Sequence, residues 1–261
     1  MTRVDGHVET VYGDTYFWGG GAGYPDYLSE GPLLREHGRW YARLLKQHTA
    51  PGSVLDVGCA AGFVLRGLCD LGWAGVGVEP NVAMAKFGRE QLGVRIAAST
   101  FEDYLDDHRY DLVSMIQVLP HFIDPRKAFS TAAHLTKPNG FWIIETWDRA
   151  SWTARLMGKR WHEYSPPSVL HWFSRSGIRD LAAEFDFSEI ATGRPAKRLT
   201  GDHARSLINH KFESPLVRRL LALPLAIVPN KLSLPYPLDD LFWTLLRRRT
   251  APSRNRTGNS G

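Results

Sequence analysis

Asp56 and Glu79 each stand at the end of a short apolar run, and Asp56 opens the stretch DVGCAAGF with its small residues at 58, 60, 61 and 62. Gly58 permits a tight turn, and Ala60, Ala61 and Gly62 let a ligand approach the backbone. The N–H groups that begin the next helix suit a carboxylate or a phosphate. A carboxylate such as Asp56 at the inner end of an apolar strand needs a partner, for which a ligand ammonium or a backbone donor would serve. Glu79 has the type and position to accept hydrogen bonds from both hydroxyls of a ribose; the plainer reading is an acid at a helix start beside Asn81. Two histidines complete the set. His121 follows an apolar run, and His171 lies in the aromatic stretch PPSVLHWFS. Imidazole titrates near neutrality and is a general base by type. Packing or capping remains an equal reading for His121 and the favoured one for His171.

These residues need elements to position them. SVLDVG reads as a buried strand, AAGFVLRGLCDLG as a helix closed by Gly72, and AGVGVEP as a second strand. NVAMAKFGREQLG is a helix capped by Asn81 and ended by Gly93. VRIAAS and YDLVSMIQV are further strands, DPRKAFSTAAHL is a helix with proline in its first turn, and GFWIIET is a fifth strand. This alternation predicts a parallel sheet with helices on both faces, binding its ligand at the carboxyl ends of the strands. Residues 32–48 carry a helical apolar stripe. SRSGIRDLAAEFDF is a helix capped by Ser174, and SEIAT is a sixth strand. DDLFWTLLRRR fits a helix or a strand by period alone; a strand is preferred because an antiparallel edge would complete the sheet. A helical stretch is expected around 203–228.

The whole chain has 261 residues, 43% hydrophobic and 23% charged, with two cysteines in no metal-ligand spacing. One full α/β domain fits this length. The start shows no signal-peptide core, and the apolar stretch near Leu220 is too short to span a bilayer, so a cytoplasmic setting is expected. The net charge of +5 is concentrated late in the chain, in residues such as Arg247, Arg254 and Arg256. That excess suits nucleic acid, anionic lipid or plain solvation. Residues 214–228, SPLVRRLLALPLAIV, read either as a peripheral membrane contact or, preferably, as a cap packed over the site. A dinucleotide-binding loop would need glycines at 58, 60 and 63; Ala60 and Phe63 stand there instead, which argues against NAD.

The motifs VLDVGCAAGFVL, GVGVEPN, Phe101-Glu102-Asp103, YDLVSMIQVLPHFIDPRKAF and HLTKPNGFWIIET resemble, in order and spacing, those of the class I methyltransferases that use S-adenosylmethionine. YFWGGGAGYPDY and GKRWHEYSPPSVLHWFS are similar to a bacterial small-molecule subgroup related to the methyltransferases of ubiquinone biosynthesis. That subgroup often has glutamate before the histidine after the fourth strand, where this chain has Pro120 before His121.

The resemblance implies a Rossmann-like, doubly wound, mostly parallel seven-stranded α/β sheet with helices on both faces, an N-terminal helical arm, and a helical insertion before the last strand. It implies that Gly58, Ala60 and Gly62 pass under the methionine end of S-adenosylmethionine, with Asp56 ordering the loop. Glu79, followed by Pro80, holds the ribose. Phe101 packs on the adenine with Glu102 beside it, and Gln117 lies near the sulfonium. Residues 1–50 are expected to form an arm and lid, 51–250 the catalytic domain with 195–237 as a substrate cap, and 251–261 a disordered tail.

Methyl transfer to oxygen needs an in-line approach and the loss of a proton. His121 is the first candidate base and His171 the second. No metal is expected, since no tight carboxylate cluster follows the fourth strand. A small-molecule acceptor is the leading expectation. A nucleic-acid methyltransferase and a non-catalytic S-adenosylmethionine-binding protein stay open as alternatives, the former without an NPPY-type motif after the fourth strand.

Overall fold

The computed structural model describes residues 27–196, 198–200, 233–235 and 239–249. The aromatics of the N-terminal arm, the 203–228 stretch, the basic segment 214–228 and the tail 251–261 lie outside them. After a short turn at Leu28–Glu30 the chain forms α1 (Gly31–Leu45), β1 (Ser53–Val57), α2 (Phe63–Cys69), β2 (Ala74–Val78), α3 (Val82–Gln91), β3 (Arg95–Ala97) and β4 (Tyr110–Ile116). There follow α4 (Pro125–Leu135), β5 (Thr136–Trp147), α5 (Trp152–Met157), α6 (Arg175–Ala183), β6 (Phe187–Gly193), β7 (Arg198–Thr200), β8 (Ser233–Pro235) and β9 (Leu241–Arg248).

Seven strands form one sheet in the order β3-β2-β1-β4-β5-β9-β6. β1 to β5 pair in parallel, while β9 runs antiparallel to both β5 and β6. The fold is the Rossmann-like, doubly wound α/β sheet expected from the sequence. β7 and β8 make a separate two-stranded ladder. Alternate strand residues feed two cores, as the period of two demands. Leu55, Val113 and Trp142 pack with Phe129 of α4 and Ile178 of α6. Val54, Leu112 and Ile143 pack with Leu45 of α1 and Leu65 of α2. Trp142 stacks on Phe187 with centroids 3.6 Å apart, and its indole N–H donates to Thr136 Oγ1 at 2.8 Å. The segment from 241 is a strand but not the expected edge: it sits between β5 and β6, which leaves β6 outermost, and has six successive buried residues; burial on both faces erases the alternation that marks a strand in sequence.

Local chemistry sets the helix ends. Asn81 Oδ1 accepts the Met84 N–H, and Asp124 Oδ1 accepts those of Arg126 and Lys127. Ser174 Oγ accepts the N–H of Gly177. Asp124 is therefore its own helix cap, and His121 does not serve as one. Two of the boundaries that differ from expectation have a local cause. α2 begins at Phe63 instead of Ala60, because Ala60 (φ 47°) and Gly62 (φ 82°) are left-handed. β5 begins at Thr136, before the expected turn: the chain absorbs left-handed Asn139 through a register shift opposite Tyr110 and Leu112.

α1 and α2 cross at two glycines. A Cβ on Gly38 would lie 2.1 Å from the Val64 carbonyl oxygen, and one on Gly67 would lie 2.1 Å from that of Arg35. Only glycine permits this approach. Beside the crossing, Arg35 donates to both oxygens of Asp70 at 2.7 and 2.8 Å, and Arg39 adds a bond at 2.9 Å. These guanidinium bonds hold the Asp70 carboxyl down at about 2.

Candidate active site

A cleft lies at the carboxyl ends of β1, β2 and β4. The sequence-expected residues Asp56, Gly58, Ala60, Glu79, Pro80, Phe101, Glu102, Gln117 and His121 line it, joined by Tyr27, Leu34 and His37 from the N-terminal side. Two expected residues stand apart from its lining. Gly62 is the left-handed cap before α2, where a Cβ would lie 2.9 Å from Val94 Cγ2, so its role is to turn the chain. His171 is not among the lining residues. Its backbone N–H and that of Leu170 donate to the Pro120 carbonyl, so the segment braces the His121 turn from behind.

The loop after β1 is held by its amides. Gly58 and Cys59 N–H donate to the Val78 carbonyl at 2.8 and 3.2 Å. The Ala60 N–H donates to Glu79 Oε2 at 2.9 Å, and Glu79 Oε1 accepts the Asn81 N–H at 2.8 Å. Glu79 thus ties the loop to the start of α3, a task the sequence reading gave to Asp56. Gly58 (φ 63°) lies under Val118, where a Cβ would meet Cγ2 at 2.4 Å.

Asp56 is 2% exposed and Glu79 is 4% exposed. Asp56 Oδ1 accepts the Ser114 hydroxyl at 2.5 Å, while Oδ2 has no hydrogen-bond partner among the described residues. Burial pushes the Asp56 carboxyl up to about 7; the Ser114 bond opposes this, and the Glu79 charge adds to it. Burial likewise pushes Glu79 up to about 7 against the two amide bonds that favour its ionised form. A carboxylate has roughly four acceptor positions, and amides fill two of those on Glu79. This donor set fits S-adenosylmethionine: a buried, unpartnered carboxylate oxygen for a cationic group, spare carboxylate capacity for hydroxyls, and a glycine-bearing loop open to close approach.

His121 ends a short 3-10 turn, Leu119–His121, and its Nδ1 lies 2.8 Å from the Ser168 carbonyl. A carbonyl only accepts, so Nδ1 carries the proton in the neutral ring and Nε2 is the basic atom. Phe101 is buried with its ring centroid 6.0 Å from that of Phe122. Glu102 Oε1 accepts the Ile123 N–H at 3.0 Å and closes the rim.

One group of residues was not singled out in the sequence. Glu145, fully buried in β5, accepts the Tyr41 hydroxyl at 2.5 Å and lies 2.7 Å from His37 Nε2, both on α1. Its other oxygen accepts the Gln117 side-chain amide. Gln117 (φ 56°) also donates its backbone N–H to the Glu145 carbonyl at 2.7 Å. A signal was present: an acid inside the apolar run GFWIIETW needs partners, and His37 and Tyr41 are spaced i, i+4. Among the described residues no group of three or more His, Cys, Asp or Glu is arranged to hold a metal ion, and no helix is long and apolar enough to cross a membrane.

The sheet order, the left-handed loop after β1 and the acid ending β2 define a class I methyltransferase dependent on S-adenosylmethionine. The methyltransferase domain family matches residues 30–192, and the chain belongs to it. S-adenosylmethionine is its cofactor. The chain is 32% identical over 127 residues to the ubiquinone biosynthesis O-methyltransferase of Bradyrhizobium diazoefficiens, an alignment covering 47% of this chain and 48% of that protein. It is 30% identical over 159 residues to the protein of the same name from Azorhizobium caulinodans, covering 53% and 60%. The chain thus spans about half the length of the curated relatives it matches. The fold is shared with a SAM-dependent methyltransferase from Thermotoga maritima at a TM-score of 0.56 and 20% identity, covering 89% of this chain and 100% of that one. It is also shared with the N-methyltransferase NodS from Bradyrhizobium japonicum at 0.51 and 16%, covering 84% and 98%.

Proposed function

We propose that the protein methylates a hydroxyl oxygen of a small-molecule acceptor, with His121 as general base. The single observation that carries this reading is the meeting, in one cleft, of the Glu79-tied loop and a histidine whose tautomer is fixed with Nε2 as its basic atom. The names of the O-methyltransferase relatives support oxygen as the acceptor atom. When bound, S-adenosylmethionine supplies an electrophilic methyl group and a neutral thioether leaving group.

In this reading the chain's own residues bind, orient and take a proton. Glu79 accepts the ribose hydroxyls while keeping its two amide bonds. Asp56 Oδ2 faces the cationic end, and the loop at Gly58 and Ala60 passes beneath it. Phe101 and Glu102 flank the adenine, Pro80 shapes the turn beside the ribose, and Gln117 borders the sulfonium. His121 Nε2 takes the hydroxyl proton as the oxygen turns nucleophilic. His171, behind the Pro120 carbonyl, supports that turn.

The test is calorimetric titration with S-adenosylhomocysteine, followed by turnover of S-adenosylmethionine against phenolic, sugar and amine acceptors. Micromolar binding with turnover confined to hydroxyl acceptors, and lost at least a hundredfold in His121→Gln, is the expected result. Turnover of amines alone, or full activity of the variant toward every hydroxyl acceptor, would refute it.

A further inference from the structure

His37 enters the cleft from α1, on a helix whose sequence carries no recognised motif. Its side chain is 11% exposed, and Nε2 lies 2.7 Å from an oxygen of fully buried Glu145. Trp40 stacks along the ring at 6.0 Å, and Tyr41 meets it edge-on at 4.9 Å. The Tyr41 hydroxyl, bonded to the same Glu145 oxygen, fixes the carboxylate in turn. The helix is seated by the Gly38–Gly67 crossing. The imidazole is therefore held on several sides and still borders the space lined by Asp56, Gly58 and Gln117.

A carboxylate only accepts, so the neutral ring carries its proton on Nε2 and Nδ1 is its basic atom. The two cleft imidazoles are thus fixed in opposite tautomers. Their partners also differ in charge: a carbonyl orients His121, whereas Glu145 places a negative charge beside His37. A carboxylate on the far nitrogen both sets the tautomer and stabilises the imidazolium that forms when a proton arrives.

We propose that His37 is a second proton-accepting group of this cleft, a catalytic residue for acceptors whose hydroxyl lies toward α1, with Glu145 as its positioning residue. The O–H bond breaks, the proton passes to Nδ1, the electron pair stays on the acceptor oxygen, and Glu145 balances the imidazolium. The proposal rests on the methyl-transfer reading for its substrate and on the His37–Glu145 geometry for its chemistry.

Long-range proton–nitrogen spectra of the full chain, labelled with ¹⁵N-histidine and saturated with S-adenosylhomocysteine, read the tautomers without turnover. The expected result is Nε2–H for His37 and Nδ1–H for His121, with the His37 preference lost in Glu145→Gln. Carbethoxylation of wild-type protein by diethyl pyrocarbonate, mapped by mass spectrometry, should modify His37 at Nδ1. Should Glu145→Gln fail to fold, this wild-type mapping and the wild-type spectra still decide. Nδ1–H on His37, or no modification of it, overturns the proposal. So does a tenfold loss of S-adenosylhomocysteine affinity in His37→Gln, which would assign the ring to the cofactor. Failure of wild-type protein to bind S-adenosylhomocysteine would instead sink the methyl-transfer reading, while spectra of the unliganded chain would still report on the dyad.

Discussion

Glu79 closes the loop with the same carboxylate that faces the cleft: its Oε2 accepts the Ala60 N–H at 2.9 Å. Glu79→Ala removes the ribose acceptor and frees the loop amide together. The expected loss of S-adenosylhomocysteine affinity is at least tenfold, about 1.4 kcal/mol, measured by calorimetry. Glu79→Gln, which keeps an acceptor oxygen for one amide, should lose less. Equal losses would mean that charge, and not the loop bond, governs the site.

Asp56 and Glu79 make the ligand-free protein sensitive to pH. Both carboxyls rise to about 7 in the fold, against about 4 in an unfolded chain. Below pH 4 both states hold these protons, and the stabilising contribution is fully present. Between about 4 and 7 the unfolded chain releases them first, so stability falls as pH rises, and above 7 the loss is complete. The melting temperature of the ligand-free protein should decline across this window, and Asp56→Asn should flatten the decline. A cationic ligand favours the ionised carboxylates, so affinity for S-adenosylmethionine should rise with pH over the same range. Thermal melts and titrations at pH 5, 6, 7 and 8 would show both trends, and a pH-independent melting point would contradict them.

Gly58 and Val118 compete for one space, since a Cβ at 58 would lie 2.4 Å from Val118 Cγ2. Gly58→Ala should cost about 1–2 kcal/mol for its left-handed backbone and more for the overlap. Val118→Ala in the same chain should return the overlap share and leave the backbone share. A double-mutant cycle by urea unfolding separates the two, and additive losses would show that the valine simply moves aside.

Gly38→Ala should separate α1 from α2, because the added methyl would face the Val64 carbonyl at 2.1 Å. Overpacking of this kind costs about 1–3 kcal/mol. Since α1 carries Leu34 into the cleft, where it packs against the cluster of Ala60 and Ala61, affinity for S-adenosylhomocysteine should fall along with stability. A stability loss with unchanged affinity would mean that α1 does not shape the cofactor end of the cleft.

The parts legible in sequence were those whose physics is local. The small-residue turn after Asp56, Glu79 at the end of its strand, and the caps at Asn81 and Ser174 each declare themselves within a few residues. The Glu145 cluster did not, because His37 and Tyr41 reach their partner across 108 and 104 positions. Nothing near residue 37 marks it as facing a cleft. The role of Glu79 in holding the Ala60 amide was hidden for the same reason. β9 gave an ambiguous period because it is buried from both sides, and only its neighbours in the sheet decide it. Asn139 disguised the start of β5 as a turn.

The crossing of Gly38 and Gly67 bears on how this fold can be recombined. Helices that meet through side chains can be exchanged between relatives, since the contacts repack. Here backbone meets backbone, and the fit belongs to the pair of glycines. A chimera that takes its first 50 residues from another methyltransferase inherits the histidine wall of the cleft from one parent and the seat for that wall from the other. Such a graft should work only when donor and host both carry glycine at the crossing, which makes two small residues outside the cleft the rule for exchanging this wall.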